Sequence, residues 1–87
     1  MTKPTLLLLH GALGSRDQFE SLVPLLRDRF QLHSFDYEGH GQAPPTARPF
    51  RMEHFVENAC AYLRQQAVER THVFGYSMGG FVACALA

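Results

Sequence analysis

Thr5 to Leu9 reads TLLLL, a continuous apolar run closed by Gly11. No polar residue alternates with the leucines, so as a strand it must be covered on both faces, the situation of a strand inside a parallel sheet. This one segment therefore demands partners on two sides. Between Asp17 and Arg29, Phe19, Leu22, Val23, Leu25 and Leu26 fall at helical spacing. Pro24 interrupts them, and because an interior proline removes a backbone hydrogen bond it belongs near a first turn, which predicts a broken or two-part helix. Gln31 to Asp36 reads as a second short strand, and residues 37–50, rich in glycine and proline, as a long loop. Met52, Phe55, Val56, Ala59, Cys60 and Leu63 recur with the period of an amphipathic helix, whose expected role is packing on a sheet face. Thr71 to Phe74 reads as a third strand, and Phe81 to Ala87 as a small-residue helix buried against the sheet.

The order strand, helix, strand, helix, strand, helix implies an α/β layer with parallel strands joined by right-handed crossovers. In such sheets ligands gather at the carboxyl ends of the strands. Each of the three strands ends in a glycine-containing motif, so the chemistry is expected at that end.

Composition narrows the partners. With 46% hydrophobic residues and 8 basic against 8 acidic side chains, the 87 residues have the make-up of ordinary globular material, one small domain at most. Zero net charge without any charge run leaves no basic patch for nucleic acid or an anionic membrane, so neither is an expected partner. Cys60 and Cys84 lack CxxC spacing and ligand-rich neighbours; they are expected to be buried free thiols in a reducing compartment, with a single disulfide as the alternative. Leu6 to Leu9 is too short for a signal-peptide core or a membrane span, and the chain reads as cytoplasmic. No metal-ligand cluster, Walker-type phosphate loop or dinucleotide GxGxxG is present, so no cofactor and no metal are expected.

Three stretches carry chemistry. Gly75, Tyr76, Ser77, Met78 and Gly79 fill the pattern GxSxG directly between a strand and a helix. That context forces a tight reversal in which the serine takes a strained backbone conformation, the flanking glycines avoid clashes, and the hydroxyl is pushed out above the sheet. Gly80 is expected where the helix and strand backbones approach. The second stretch is HGALGS, His10 to Ser15, where Gly11 and Gly14 let the backbone curl so that an amide points into the site. If that amide and the one of Met78 converge, two preorganised N–H donors form an oxyanion hole at a helix start. His10 itself is expected to hold the loop. The third stretch is DYEGHG, Asp36 to Gly41, where Gly39 and Gly41 supply positive φ angles, His40 is expected to bond within the turn, and Asp36 to hold it.

Together these stretches resemble the amino-terminal half of the α/β-hydrolase superfamily, where HGxxGS, DxxGHG and GxSMGG recur in this order at about this spacing. The resemblance implies a parallel three-stranded core of an α/β-hydrolase sheet with flanking helices, and an HG strand beside the elbow strand. It also implies Ser77 as nucleophile, with the backbone amides of Ala12 and Met78 as oxyanion hole. A serine there is similar to the esterase, lipase, thioesterase, haloperoxidase-like and carbon–carbon hydrolase branches. The sequence departs from the pattern in lacking the family's first hairpin, and in Glu38 and Ala43 standing where proline and serine are common. Neither an acid nor a histidine follows Ser77, although the family's triad runs Ser, then Asp or Glu, then His.

The expectation is therefore a serine hydrolase acting on an ester, thioester or related small acyl substrate, with residues 1–87 as the amino-terminal part of a single, incomplete domain. Lid, acid and histidine would lie outside this chain, which alone would be nearly inactive. The alternatives are carbon–carbon hydrolase or lyase chemistry on the same scaffold, and a non-catalytic binding module.

Overall fold

The computed structural model describes residues 3–12, 14–44 and 46–87. Strand β1 (Thr5–Leu9) is followed by a 3-10 turn (Arg16–Phe19), helix α1 (Val23–Leu26), strand β2 (Gln31–Ser34), helix α2 (Met52–Gln65), strand β3 (His72–Gly75) and helix α3 (Met78–Leu86). The strands form one parallel sheet in the order β2-β1-β3, with Leu7 opposite both His33 and Val73. The apolar run is thus the central strand, beside the strand that leads into Ser77. Leu6 to Leu9 are all buried.

Because strand side chains alternate, the four leucines feed two cores. Leu7 and Leu9 pack with Tyr37, Phe55, Ala59, Met78 and Val82 under α2 and α3. Leu6 and Leu8 pack on the other face with Phe19, flanked by Leu22, Leu26, Phe30 and Leu32. The helix between β1 and β2 is indeed in two parts, and Pro24 sits in the first turn of α1. β3 is an edge strand, and Phe74, level with Leu8, stays 49% exposed.

Element boundaries differ from expectation where side chains take over backbone hydrogen bonds. β2 stops at Ser34 rather than Asp36. Just beyond it the Tyr37 amide donates to the His10 ring and the Asp36 carboxylate accepts two loop amides, so no strand ladder is continued there. α3 begins at Met78, immediately after the serine, as the strand–serine–helix context expects, and the apolar run from Phe81 is its continuation. Both cysteines are free, but they are not both buried: Cys60 is half-buried and Cys84 exposed, because α3 turns that side away from the sheet. No helix among the described residues is long and apolar enough to cross a membrane.

Candidate active site

The approach of β3 to α3 sets the geometry around Ser77. Tyr76 N–H donates to Leu9 O at 3.0 Å, which continues the β1–β3 pairing past the end of the strand. At Ser77 the chain reverses with φ 55° and ψ −114°, a conformation that side chains other than glycine seldom adopt. The amides of Gly79 and Gly80 then turn back onto the carbonyls of Tyr76 and Ser77, both at 2.9 Å. The Met78 amide lies between them, at the start of α3, and has no acceptor among the described residues. Ser77 is exposed while Met78 and Gly79 on its far side are buried, so the serine stands proud of the sheet.

The glycines divide by what a side chain would meet. A Cβ on Gly75 would lie 2.2 Å from Gly79 O, and one on Gly79 would lie 2.1 Å from Leu9 O; neither fits against backbone. At Gly80 the nearest atom is Gly75 O at 3.6 Å, an ordinary contact. The close approach of helix to strand therefore rests on Gly75 and Gly79 and not on Gly80, because Gly80 lies a further 100° round the helix, off the side that meets β1 and β3. A Cβ on Gly11 would lie 3.3 Å from Ser77 Cβ and 3.2 Å from Tyr76 O, so Gly11 brings the first motif against the serine.

That first motif is a turn closed by Gly14 N–H donating to Gly11 O at 3.2 Å. Gln18 steadies it by accepting the Gly11 amide at 2.9 Å, and Ser15 caps the 3-10 turn by accepting from Asp17 N. Ala12, in the middle of the turn, is exposed and its amide has no acceptor among the described residues. His10 is fully buried, with Nδ1 2.8 Å from Gly11 O and Nε2 accepting from Tyr37 N at 3.3 Å. A carbonyl accepts only, so Nδ1 carries the proton and both ring nitrogens are engaged. Burial lowers the His10 pKa, which keeps the ring neutral, and it serves the loops rather than Ser77.

The third motif is tied to the first. Asp36 Oδ1 accepts from Arg16 N at 2.7 Å and Oδ2 from Gln42 N at 2.9 Å, so one carboxylate joins the two loops. Burial alone would raise its pKa, but the two amide donors outweigh it and the net shift is downward. Gly39 and Gly41 have φ of 73° and 52°, and His40 Nδ1 lies 3.0 Å from Glu38 O, inside the turn. Sequence reasoning missed two supports here. Gln18 resembles any glutamine in a helical stretch and gave no signal. Glu38 collects Arg48 Nε at 2.7 Å, Asn58 Nδ2 at 2.9 Å and Thr46 Oγ1 at 3.3 Å. The Arg48 guanidinium, chiefly, draws its pKa down to about 2. Glu38 stood out only as a departure from proline. No group of three or more His, Cys, Asp or Glu side chains among the described residues could hold a metal ion.

A family model described as alpha/beta hydrolase fold matches residues 4–87. The chain belongs to this family. Among its relatives, a pimeloyl-[acyl-carrier protein] methyl ester esterase of Aeromonas hydrophila is 33% identical over 97% of this chain and 32% of its own length. A 2-succinyl-6-hydroxy-2,4-cyclohexadiene-1-carboxylate synthase of Pectobacterium atrosepticum is 33% identical over 93% of this chain and 31% of its own. The crystal structure of an alpha/beta hydrolase from Novosphingobium aromaticivorans superposes with a TM-score of 0.93 at 25% identity, covering all of this chain and 31% of that one. This alpha/beta hydrolase-fold chain thus spans about a third of the length of each. Within that third lie β1, the Gly11–Gly14 turn and the positive-φ Ser77 between β3 and α3.

The elbow has a measurable cost. A residue held at φ 55° and ψ −114° stores on the order of 1–3 kcal/mol, which glycine avoids and alanine does not. Ser77→Gly is expected to be more stable than Ser77→Ala by about 1 kcal/mol in urea titrations. Equal midpoints would mean that Ser77 is not strained.

Proposed function

We propose that this chain carries the nucleophile and oxyanion-hole portion of a serine hydrolase acting on esters, thioesters or related acyl compounds. The observation that carries the reading is Ser77 itself: exposed, in a positive-φ elbow, and followed by the Met78 amide, which has no acceptor among the described residues. In the reaction, Ser77 Oγ attacks the acyl carbonyl, and the Met78 and Ala12 amides receive the oxyanion. Each such donor is typically worth about 2.7–4 kcal/mol in the transition state. The esterase relative supports this class. Ser77 Oγ needs a base to take its proton, and positioned general-base help contributes typically ~10²- to 10⁴-fold. His10 is committed elsewhere, so the reading calls for a base that these residues do not offer to Ser77.

The test is a fluorophosphonate probe on the folded chain, with imidazole added in solution as external base. Labelling is expected at Ser77, faster with imidazole, absent in Ser77→Ala and absent in urea. If the folded chain is not labelled at Ser77 even with imidazole, the nucleophile assignment is wrong. The second reading, carbon–carbon bond chemistry with the serine moving a proton, draws on the synthase relative. Detection of an acyl-enzyme adduct with an ester substrate would count against it.

A further inference from the structure

A cavity of about 600 Å³ lies beside the site, between the 38–50 loop and the start of α2. Its volume is in the range of small-molecule sites. Phe55 and the ring of His40 form its floor, and Phe50 its outer wall, with ring centroids 5.0 Å apart for Phe50 and Phe55 and 5.5 Å for His40 and Phe55. Ala43 and Pro49 add further apolar surface. Phe50 is 59% exposed, a large aromatic left at the mouth although the strap bearing it is tied down by Arg48. Among the described residues of the lining the acidic and basic groups are Glu38 and Arg48, which are ion-paired with each other, and Glu38 is further occupied by Asn58 and Thr46. A charged ligand group would find both of these already paired, whereas a hydrocarbon needs no such partner.

One turn of chain separates the cavity lining from Ser77. Gly11 lies against Ser77 and Gly14 lines the cavity, and the two are joined as the first and last residues of the turn, a span under about 7 Å. The Asp36 carboxylate ties Arg16, two residues after this turn, to Gln42 in the loop that lines the cavity. We propose that the cavity receives the distal, uncharged hydrocarbon part of the substrate acylating Ser77, so that the preferred acyl groups are medium-chain or aryl and lack a terminal charge. This rests on the serine-hydrolase reading for its link to Ser77, and on the cavity alone for its binding chemistry.

Binding is tested without catalysis by titrating isotope-labelled chain with 1-octanol and, separately, with 8-hydroxyoctanoate. Octanol is expected to shift the Gly39, Gly41, Ala43 and Phe55 amide signals saturably and to bind at least tenfold more tightly than the carboxylate. Ala43→Phe, which fills the cavity, and Phe50→Ala, an exposed change that removes a wall without burdening folding, should each weaken octanol binding tenfold or more. Octanol signals confined to Phe74 and Phe81, unchanged binding in both variants, or equal affinity for the carboxylate would each overturn the proposal. The link to the serine is read from octyl and ethyl fluorophosphonates: octyl should label Ser77 at least tenfold faster, and Ala43→Phe should erase that preference. Equal rates for the two probes refute the inference while leaving Ser77 as nucleophile. Labelling by neither probe, with imidazole present as in the test above, refutes the nucleophile, and the octanol titration then still decides the cavity.

Discussion

Gly79→Ala is expected to unfold the chain or bring it close to unfolding, whereas Gly80→Ala, one residue later, should leave it as stable or slightly more so. Both replacements gain helix propensity, up to about 1 kcal/mol for glycine to alanine in a helix. The propensity term therefore cannot separate them; the surroundings do. The added methyl on Gly79 would sit 2.1 Å from Leu9 O, 2.7 Å from Leu9 C and 2.9 Å from His10 O, all main-chain atoms of the central strand and its exit. Relief requires moving α3 off β1, which opens the core of Leu7, Leu9, Met78 and Val82. Overpacking of a core typically costs about 1–3 kcal/mol, and more when only backbone can give way. A chain of this size holds on the order of 4–13 kcal/mol in total. In urea titrations followed by circular dichroism, Gly79→Ala should move the midpoint far down or remove the transition. Gly80→Ala, with its nearest neighbour at 3.6 Å, should hold or raise it. A Gly79→Ala midpoint equal to that of the parent chain would refute the close approach.

His10→Phe is the second large loss, and it has a pH signature. Phenylalanine fills the volume but neither donates to Gly11 O nor accepts from the Tyr37 amide, so the buried Tyr37 N–H loses its acceptor while Gly11 O keeps only the Gly14 amide. A buried donor left unpaired costs about 1–3 kcal/mol, and the lost bond to Gly11 O adds to it. The native ring also gives a pH dependence of definite sign. Burial lowers its pKa from the ordinary 6.5, so below pH 6.5 the unfolded chain binds this proton and the folded chain resists it. More protons on the unfolded state means that stability rises with pH. The His10 contribution is complete above about pH 6.5 and is lost as the pH falls from there toward the lowered folded value. Unfolding midpoints measured between about pH 5 and pH 8 should therefore climb more steeply for the parent chain than for His10→Phe. Parallel curves would show that His10 does not titrate on unfolding. Glu38 acts in a separate window, since its contribution is present above its ordinary 4.5 and lost as the pH falls toward about 2.

Much of the site was legible because its reasons are local. A serine between glycines at a strand-to-helix junction leaves the backbone few ways to turn, and the φ of 55° at Ser77 is the consequence. The same holds for the positive φ of Gly39 and Gly41 and for Pro24 splitting the helix region in two. Gln18, Asp36 as a bridge between loops, and the Glu38–Arg48 pair were less legible, because each acts across 7 to 20 residues. No local pattern marks which polar side chain will meet which amide once the sheet has formed.

By itself the sequence determined the alternation of strands and helices, the doubly covered central strand and the three motifs at the carboxyl end of the sheet. These follow from periodicity and from what glycine and proline permit, which are properties of neighbouring residues. Only the tertiary structure decided that Gly79 rather than Gly80 bears the helix–strand contact, that both nitrogens of His10 are spent on loops, and that a neutral, aromatic-floored cavity opens one turn away from Ser77. Those outcomes depend on distances between segments far apart in the chain, and such distances exist only after β1 has paired with both of its neighbours.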